Sequence, residues 1–310
     1  MPASVSPVPE SVVVTRLRAA GCVFAEDEAQ LLMSAAATLT DLSAMVDRRA
    51  AGEPLEHVLG WAEFCGLRIA VDPGVFVPRR RTEFLVGQAI TLASRANQGA
   101  TQPSAGQPPA AGQRRTATQP SPTAQPSVTT QRRTVVVDLC CGSGALGVAV
   151  AMALGGVAGS GLAERQVELH AADLDPVAVR CARRNVAAFG GHVYEGDLYR
   201  PLPATLRGRV GILVANAPYV PTDKVALLPP EARLYEPQVA LDGGADGLDI
   251  LRRVAGAAPQ WLAPGGHLLS ETSERQAPRL TEAVVSAGLI PRVARSEELN
   301  ATVVVATRPA

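Results

Sequence analysis

"VVVDLCCGSGALG", Val135 to Gly147, is the stretch on which the reading of the chain turns. Its three valines and a leucine make an apolar run broken only by Asp138, close to the pattern of a strand buried on both faces of a parallel sheet. The segment "GALGVAVAMAL" follows as a helix, and Gly142, Gly144 and Gly147 satisfy G-x-G-x-x-G between the two. The motif therefore stands where it has to stand, leaving a strand and opening a helix. A loop of this kind brings an adenosine-containing cofactor against the helix N-terminus, without deciding which cofactor.

The same alternation continues downstream. "VELHAADL", "HVYEGD", "VGILVAN" and "GGHLLSE" read as strands, separated by helical segments such as "PVAVRCARRNVAAF" and "GLDILRRVAGAAPQWL". Strands alternating with helices predict a doubly wound α/β sheet. After the helix "RQAPRLTEAVVSAG" come two closing strands, "IPRVARS" and "ATVVVATR", with no helix between them, so the last of seven strands is expected to run antiparallel. By fold analogy that ending suits class I methyltransferases better than dinucleotide dehydrogenases.

Upstream, Pro9 to Ala51 places apolar residues such as Val13, Leu17, Leu31, Leu32, Leu39 and Leu42 at helical spacing, which predicts a small helical domain over 1–60. "WAEFCGLRIAVDPGVFVP" then reads as a hairpin and connector within 61–95, followed by a helix from about Thr82 to Ala93. Residues 96–133 are rich in Gln, Pro, Ser, Thr, Ala and Gly and hold almost nothing that could enter a core. They are expected to be a disordered linker dividing the helical part from a catalytic domain over 134–310. Its "TQPS" and "QRRT" pairs are low-complexity duplication.

With 310 residues, 47% of them hydrophobic, the chain can bury a large core. No stretch of eighteen apolar residues occurs, and "MPASVSPVPE" lacks the basic start and apolar centre of a signal peptide, so a cytoplasmic protein without membrane association is expected. Twenty-nine cations balance twenty-nine anions, with Lys224 the only lysine, which argues against the basic field of a nonspecific nucleic-acid binder. Five scattered cysteines form no C-x-x-C pair, and His57, His170, His192 and His267 have no ligand spacing; no metal is expected.

Acids at strand ends bear on the choice of cofactor. Asp138 precedes the glycines, where its charge would oppose a pyrophosphate but tolerate the ammonium and sulfonium of S-adenosylmethionine. Asp173 ends the second strand, where a carboxylate can accept both ribose hydroxyls, and Asp197 follows the third, within reach of an adenine amino group. After the fourth strand, "VANAPYVPTD" ends an apolar run at Asn216 and brackets Tyr219 with prolines. On its own this is read equally well as a strand stop and turn, or as a side chain delivered to a ligand.

Taken together, the glycine loop, these acids and Asn216-Ala217-Pro218-Tyr219 resemble the HemK/PrmC family of protein-(glutamine) methyltransferases. The resemblance extends to "GEPLEHVLGWAEFCGLRIAVDPGVFVPRRRTEFLV" upstream and "EPQVALDGGADGLD" downstream, so it covers nearly the whole chain outside 96–133. It implies a class I methyltransferase-type seven-stranded sheet, S-adenosylmethionine as cofactor, and a class 1 peptide release factor as protein partner. It also implies cofactor contacts at Asp138, Gly142, Gly144, Asp173, Asp197 and Asn216, with catalysis and substrate binding at Asn216, residue 217, Pro218 and Tyr219.

The family's Asn-Pro-Pro-Tyr is matched here except at Ala217, which keeps the carbonyl and the restraint of preceding Pro218. Cys140 stands where the family often has glycine, and "PRRRTE", Pro78 to Glu83, carries Arg80 and Arg81 in place of a proline and an acid; that exchange bears on which protein is the substrate. Glu271, at the end of "GGHLLSE", is expected to be a solvated strand-end acid. The same Asn-x-Pro-Tyr suits an exocyclic amine of adenine or cytosine, which makes a nucleic-acid methyltransferase one alternative and a non-catalytic cofactor-binding module another.

Overall fold

The computed structural model describes residues 9–100, 133–155 and 166–310. Four helices come first: α1 (Glu10–Ala19), α2 (Ala25–Ala35), α3 (Leu39–Ala50) and α4 (Leu55–Leu59). The Thr38 hydroxyl caps α3 by accepting the Asp41 N–H at 3.1 Å. Leu17, Ala29, Leu32, Val46 and Val58 meet in a small core of their own. At its edge the Arg49 guanidinium donates to both oxygens of Glu28, at 2.6 and 3.0 Å, joining α3 to α2.

β1 (Trp61–Phe64) and β2 (Leu67–Ala70) form the expected hairpin. Its two-residue turn needs left-handed backbone at both positions, and Cys65 (φ 51°) and Gly66 (φ 71°) provide it. The helix that follows, α5 (Glu83–Ala100), runs past the expected end near Ala93 and into the stretch assigned to the linker. The remainder of that stretch, 101–132, lies outside the described residues.

The role of the linker as a domain boundary needs correcting. Phe64, Ile69, Leu85, Val86, Ala89 and Ala93 are buried in one core with Val136, Val148, Ile212, Val214 and Leu269 of the sheet and its helices. The hairpin and α5 thus belong to the sheet, on the near side of the polar stretch. Composition marks where core-forming residues stop, but not which core the preceding helix joins.

The sheet contains β3 (Thr134–Leu139), β4 (Val167–Asp173), β5 (His192–Glu195), β6 (Val210–Ala215), β7 (Leu262–Thr272), β8 (Ile290–Ser296) and β9 (Ala301–Thr307), in the order β5-β4-β3-β6-β7-β9-β8. The first five pair in parallel, while β9 enters antiparallel between β7 and β8, as the missing helix between the last two strands predicts. Helices α6 (Ala145–Ala153) and α7 (Pro176–Ala187) lie on the face that α5 covers; α10 (Asp249–Trp261) and α11 (Ala277–Ser286) cover the other. Val135, Val137 and Leu139 are buried toward α10 and α11, and Val136 toward α5 and α6. Successive side chains point to opposite faces, so a strand covered on both sides is apolar at nearly every position, Asp138 being the buried exception in β3.

Two short helices, α8 (Thr222–Val225) and α9 (Pro230–Tyr235), lie between β6 and α10 and carry no periodic signal in the sequence. From β3 the chain winds one way to β4 and β5 and the other way to β6 and β7, which opens a crevice at the carboxyl ends of these strands. No helix among the described residues is long and apolar enough to cross a membrane.

Candidate active site

The loop between β3 and α6 forms the floor of a first cavity. Gly142 (φ 55°) and Gly144 (φ 78°) are left-handed, and the Gly142 N–H donates to Asp173 Oδ2 at 2.8 Å. Asp173 Oδ1 accepts the Asp175 N–H at 2.9 Å, so this carboxylate is fixed to the backbone at both oxygens; burial raises its pKa. Cys140 also takes a left-handed φ of 54°, the conformation the family's glycine would adopt freely.

Around this loop the cavity is lined by Leu174, Asp175, Asp197, Leu198, Asn216 and Pro218, among others. Asp197 is not free: Arg253 of α10 donates to it at 2.5 Å, and Arg253 lines the cavity as well. Three aspartates therefore face one arginine, an electrostatic balance that favours a cationic ligand. Sequence reasoning missed Arg253 and the apolar walls Leu174 and Leu198. The repeated Asp-Leu after β4 and β5 was their available signal.

Asp138 is placed differently from expectation. Its side chain lies beneath the loop, Oδ2 accepts the Gly147 N–H at 2.8 Å, and the residue is not part of the cavity lining. Burial pushes its pKa up to about 8, so at neutral pH it is largely uncharged. The carboxyl anchors the start of α6 and stands apart from the cavity lining, where the sequence reading places its charge beside the ligand.

A second cavity opens on the other side of Asn216. Asn216 and Pro218 line both, while Ala217 and Tyr219 line the second together with Phe76, Arg79, Arg81, Glu231 and Glu236. Asn216 Oδ1 is buried and has no hydrogen-bond partner among the described residues. An unpaired amide oxygen in such a place costs free energy, of order 1–3 kcal/mol, unless a ligand supplies a donor.

The Asn216–Tyr219 segment rests on the downstream glycines. A Cβ at Gly243 would lie 2.6 Å from the Pro218 carbonyl oxygen and 2.8 Å from Tyr219 Cα, so only glycine lets the two backbones approach. Val220 N–H donates to the Leu241 carbonyl at 3.1 Å and Gly243 N–H to the Val220 carbonyl at 2.8 Å, closing the contact. Glu236 accepts from the Val77 N–H at 3.1 Å and from Arg79 at 2.5 Å, tying the upstream connector to the same wall.

Glu271 is not the solvated acid that was expected. It is 2% exposed, accepts from the Tyr219 hydroxyl at 2.9 Å, and is ion-paired with Arg81 at 2.9 Å. Its burial follows from β7, a central strand covered on both faces to its last residues. Further out, Glu231 of α9 approaches Arg49 at 3.7 Å, and the Tyr235 hydroxyl donates to the Ala51 carbonyl at 3.2 Å. The four-helix layer thereby abuts the outer wall of the second cavity.

No family profile matches the chain. It is 35% identical over 235 residues to the release factor glutamine methyltransferase of Geobacter sulfurreducens, a match covering 75% of this chain and 65% of that protein. It is 34% identical to the protein of the same name from Streptomyces coelicolor (75% and 67% covered) and 30% identical to that of Bradyrhizobium diazoefficiens (90% and 86% covered). The chain thus matches just under two thirds of the Geobacter relative's length. Among solved structures, a protein-(glutamine-N5) methyltransferase (release factor-specific) from Alicyclobacillus acidocaldarius is 20% identical, with 76% and 95% covered and a TM-score of 0.39, too low to add to the strand order. On the sequence relatives, the chain belongs to the release factor glutamine methyltransferase family.

Proposed function

We propose that this protein uses S-adenosylmethionine to methylate the side-chain amide nitrogen of a glutamine, with the Gly-Gly-Gln segment of a class 1 peptide release factor as acceptor, and does so in the cytoplasm. The observation that carries this reading is Asn216, a buried amide oxygen without a partner among the described residues, set where the two cavities meet.

The lining of the first cavity, three aspartates with one arginine beside a left-handed glycine loop, supports this choice of cofactor. Gly142 and Gly144 would pass along it, Asp173 would accept the ribose hydroxyls, and Asp197 with Arg253 would meet the adenine edge between Leu174 and Leu198. When bound, the cofactor supplies an electrophilic methyl group on a positively charged sulfur.

A glutamine amide nitrogen is a weak nucleophile because its lone pair is delocalised into the carbonyl. In the proposed site, Asn216 Oδ1 accepts one amide hydrogen and the carbonyl of Ala217 accepts the other, which holds the nitrogen with its lone pair facing the first cavity. Pro218 restrains Ala217 to extended backbone, so that carbonyl is aimed before substrate arrives. Positioning of this kind can account for roughly 7–11 kcal/mol of a barrier, which removes the need for a strong base. Tyr219 is unsuited to that job in any case: burial, then the neighbouring Glu271 charge, raise its pKa.

Asn216→Ala tests the assignment. Cofactor affinity by calorimetry should stay within a few-fold, while methylation of a release factor carrying Gly-Gly-Gln should fall about 10²-fold or more, with a Gln-to-Ala release factor as blank. Undiminished turnover in the variant would reduce Asn216 to a strand stop.

A further inference from the structure

The Tyr219 side chain is held by two residues: Glu271, and Arg81 of the exchange that the resemblance ties only to the choice of protein substrate. Its hydroxyl donates to Glu271 Oε1 at 2.9 Å and accepts from Arg81 Nη2 at 2.8 Å, and Arg81 Nε donates to the same Glu271 oxygen at 2.9 Å. The three groups close a ring of hydrogen bonds through Glu271 Oε1, while Glu271 Oε2 is buried without a partner among the described residues. The backbone of Tyr219 is gripped as well: Gln276 Nε2 donates to its carbonyl at 2.9 Å, and Gln276 is itself held by Ser273 at 2.5 Å. Glu271, Ser273 and Gln276 all belong to the end of β7 and the turn into α11, so one rigid corner of the sheet fixes both ends of this tyrosine.

Arg81 is the member that the departure "PRRRTE" introduces. A carboxylate at 2% exposure is costly unless it is paired, and Arg81 pairs it while reaching the tyrosine with the other arm of its fork. Lysine, with a single ammonium, cannot reproduce both contacts in fixed geometry. Arg81 also enters the second cavity beside Asn216, Ala217 and Tyr219, and is not part of the lining of the first.

We infer that Arg81 and Glu271 are positioning residues for methyl transfer, acting through the Tyr219 hydroxyl to hold the Asn216–Tyr219 segment against the acceptor. The inference rests on the glutamine-methylation reading for its kinetic consequence, but not for its structural one. A reactive segment displaced by about 1 Å loses on the order of 10² in rate, so loosening one end of it is expected to be visible in turnover.

The structural arm uses no substrate. With 3-fluorotyrosine incorporated at the four tyrosines, the Tyr219 fluorine line is identified by its loss in Tyr219→Phe. Arg81→Met and Glu271→Gln should each shift and broaden that line and leave the Tyr199 line in place. The side chain of Arg81 is 46% exposed, so its variants are expected to fold even if those of Glu271 do not.

In the kinetic arm, Arg81→Met should lower kcat about tenfold with the cofactor Kd unchanged, Arg81→Lys should restore little of it, and Arg81→Met combined with Tyr219→Phe should fall no further than Tyr219→Phe alone. An unmoved Tyr219 line in Arg81→Met overturns the inference whatever the activity. Full rescue by lysine, or losses that simply multiply, would overturn it too, by showing that Arg81 contributes charge alone. If the parent does not methylate a release factor, the glutamine reading fails, and the fluorine line still decides the clamp.

Discussion

Cys140 holds a left-handed backbone, φ 54°, that costs a residue with a Cβ about 1–2 kcal/mol. Cys140→Gly should therefore be more stable than Cys140→Ala by about 1 kcal/mol in denaturant unfolding, the reverse of the order in ordinary backbone. Asp138, four residues from that loop's first glycine, gives a pH signature. Its folded pKa of about 8 lies above the ordinary carboxylate value of 3.8, so the folded state binds the extra proton between those limits. Stability from this group is thus lost as pH rises from about 4 to about 8. Asp138→Asn, which cannot ionise, should gain in melting temperature relative to the parent steadily across that window. The presence of acids at the ends of β3, β4 and β5 was legible in the sequence, but their individual roles were not. Asp138 and Asp173 both end strands, yet one is turned beneath the loop to Gly147 and the other lines the cavity, a difference of side-chain direction that spacing does not encode.

Among the elements, every strand of the large sheet and its antiparallel ending could be read in advance, because each carries a short apolar run or pairs with a strand that does, and helices or turns separate them in the sequence. The helices α8 and α9 could not: four and six residues around prolines are too short to show a period of 3.6. Nor could the partners of Glu271, since Arg81 lies 190 positions away and only the fold brings them together. The segment 243–247 is a case between the two. Its glycines were visible as part of a family-like stretch, while the reason for Gly243 and Gly247, the approach to Pro218 and Tyr219, is a tertiary contact. Gly243→Ala should push the Pro218 carbonyl away. Turnover is expected to fall tenfold or more with cofactor affinity nearly unchanged, and calorimetric stability to drop by about 1–3 kcal/mol, the usual cost of overpacking.

On the scale of the whole molecule, the polar stretch that suggested a boundary lies after a helix that covers the sheet, and the physical division falls earlier, between the small core of α1–α4 and the hairpin that leads into α5. The two parts meet again at the outer wall of the second cavity, through Arg49 with Glu231 and Tyr235 with the Ala51 carbonyl. That shared wall makes the size of the acceptor a kinetic variable. Binding energy gained far from the reacting atoms raises turnover only where it is realised more fully in the transition state, and, under the proposed function, an acceptor that also touched the four helices would have a route for it through this wall. An intact release factor and a short synthetic peptide with the same Gly-Gly-Gln should then differ in kcat and not merely in KM, and Tyr235→Phe, by cutting one strut, should narrow that difference. Equal kcat for both acceptors would leave the helices as a landing platform that captures the large substrate and has no part in how fast its small target reacts.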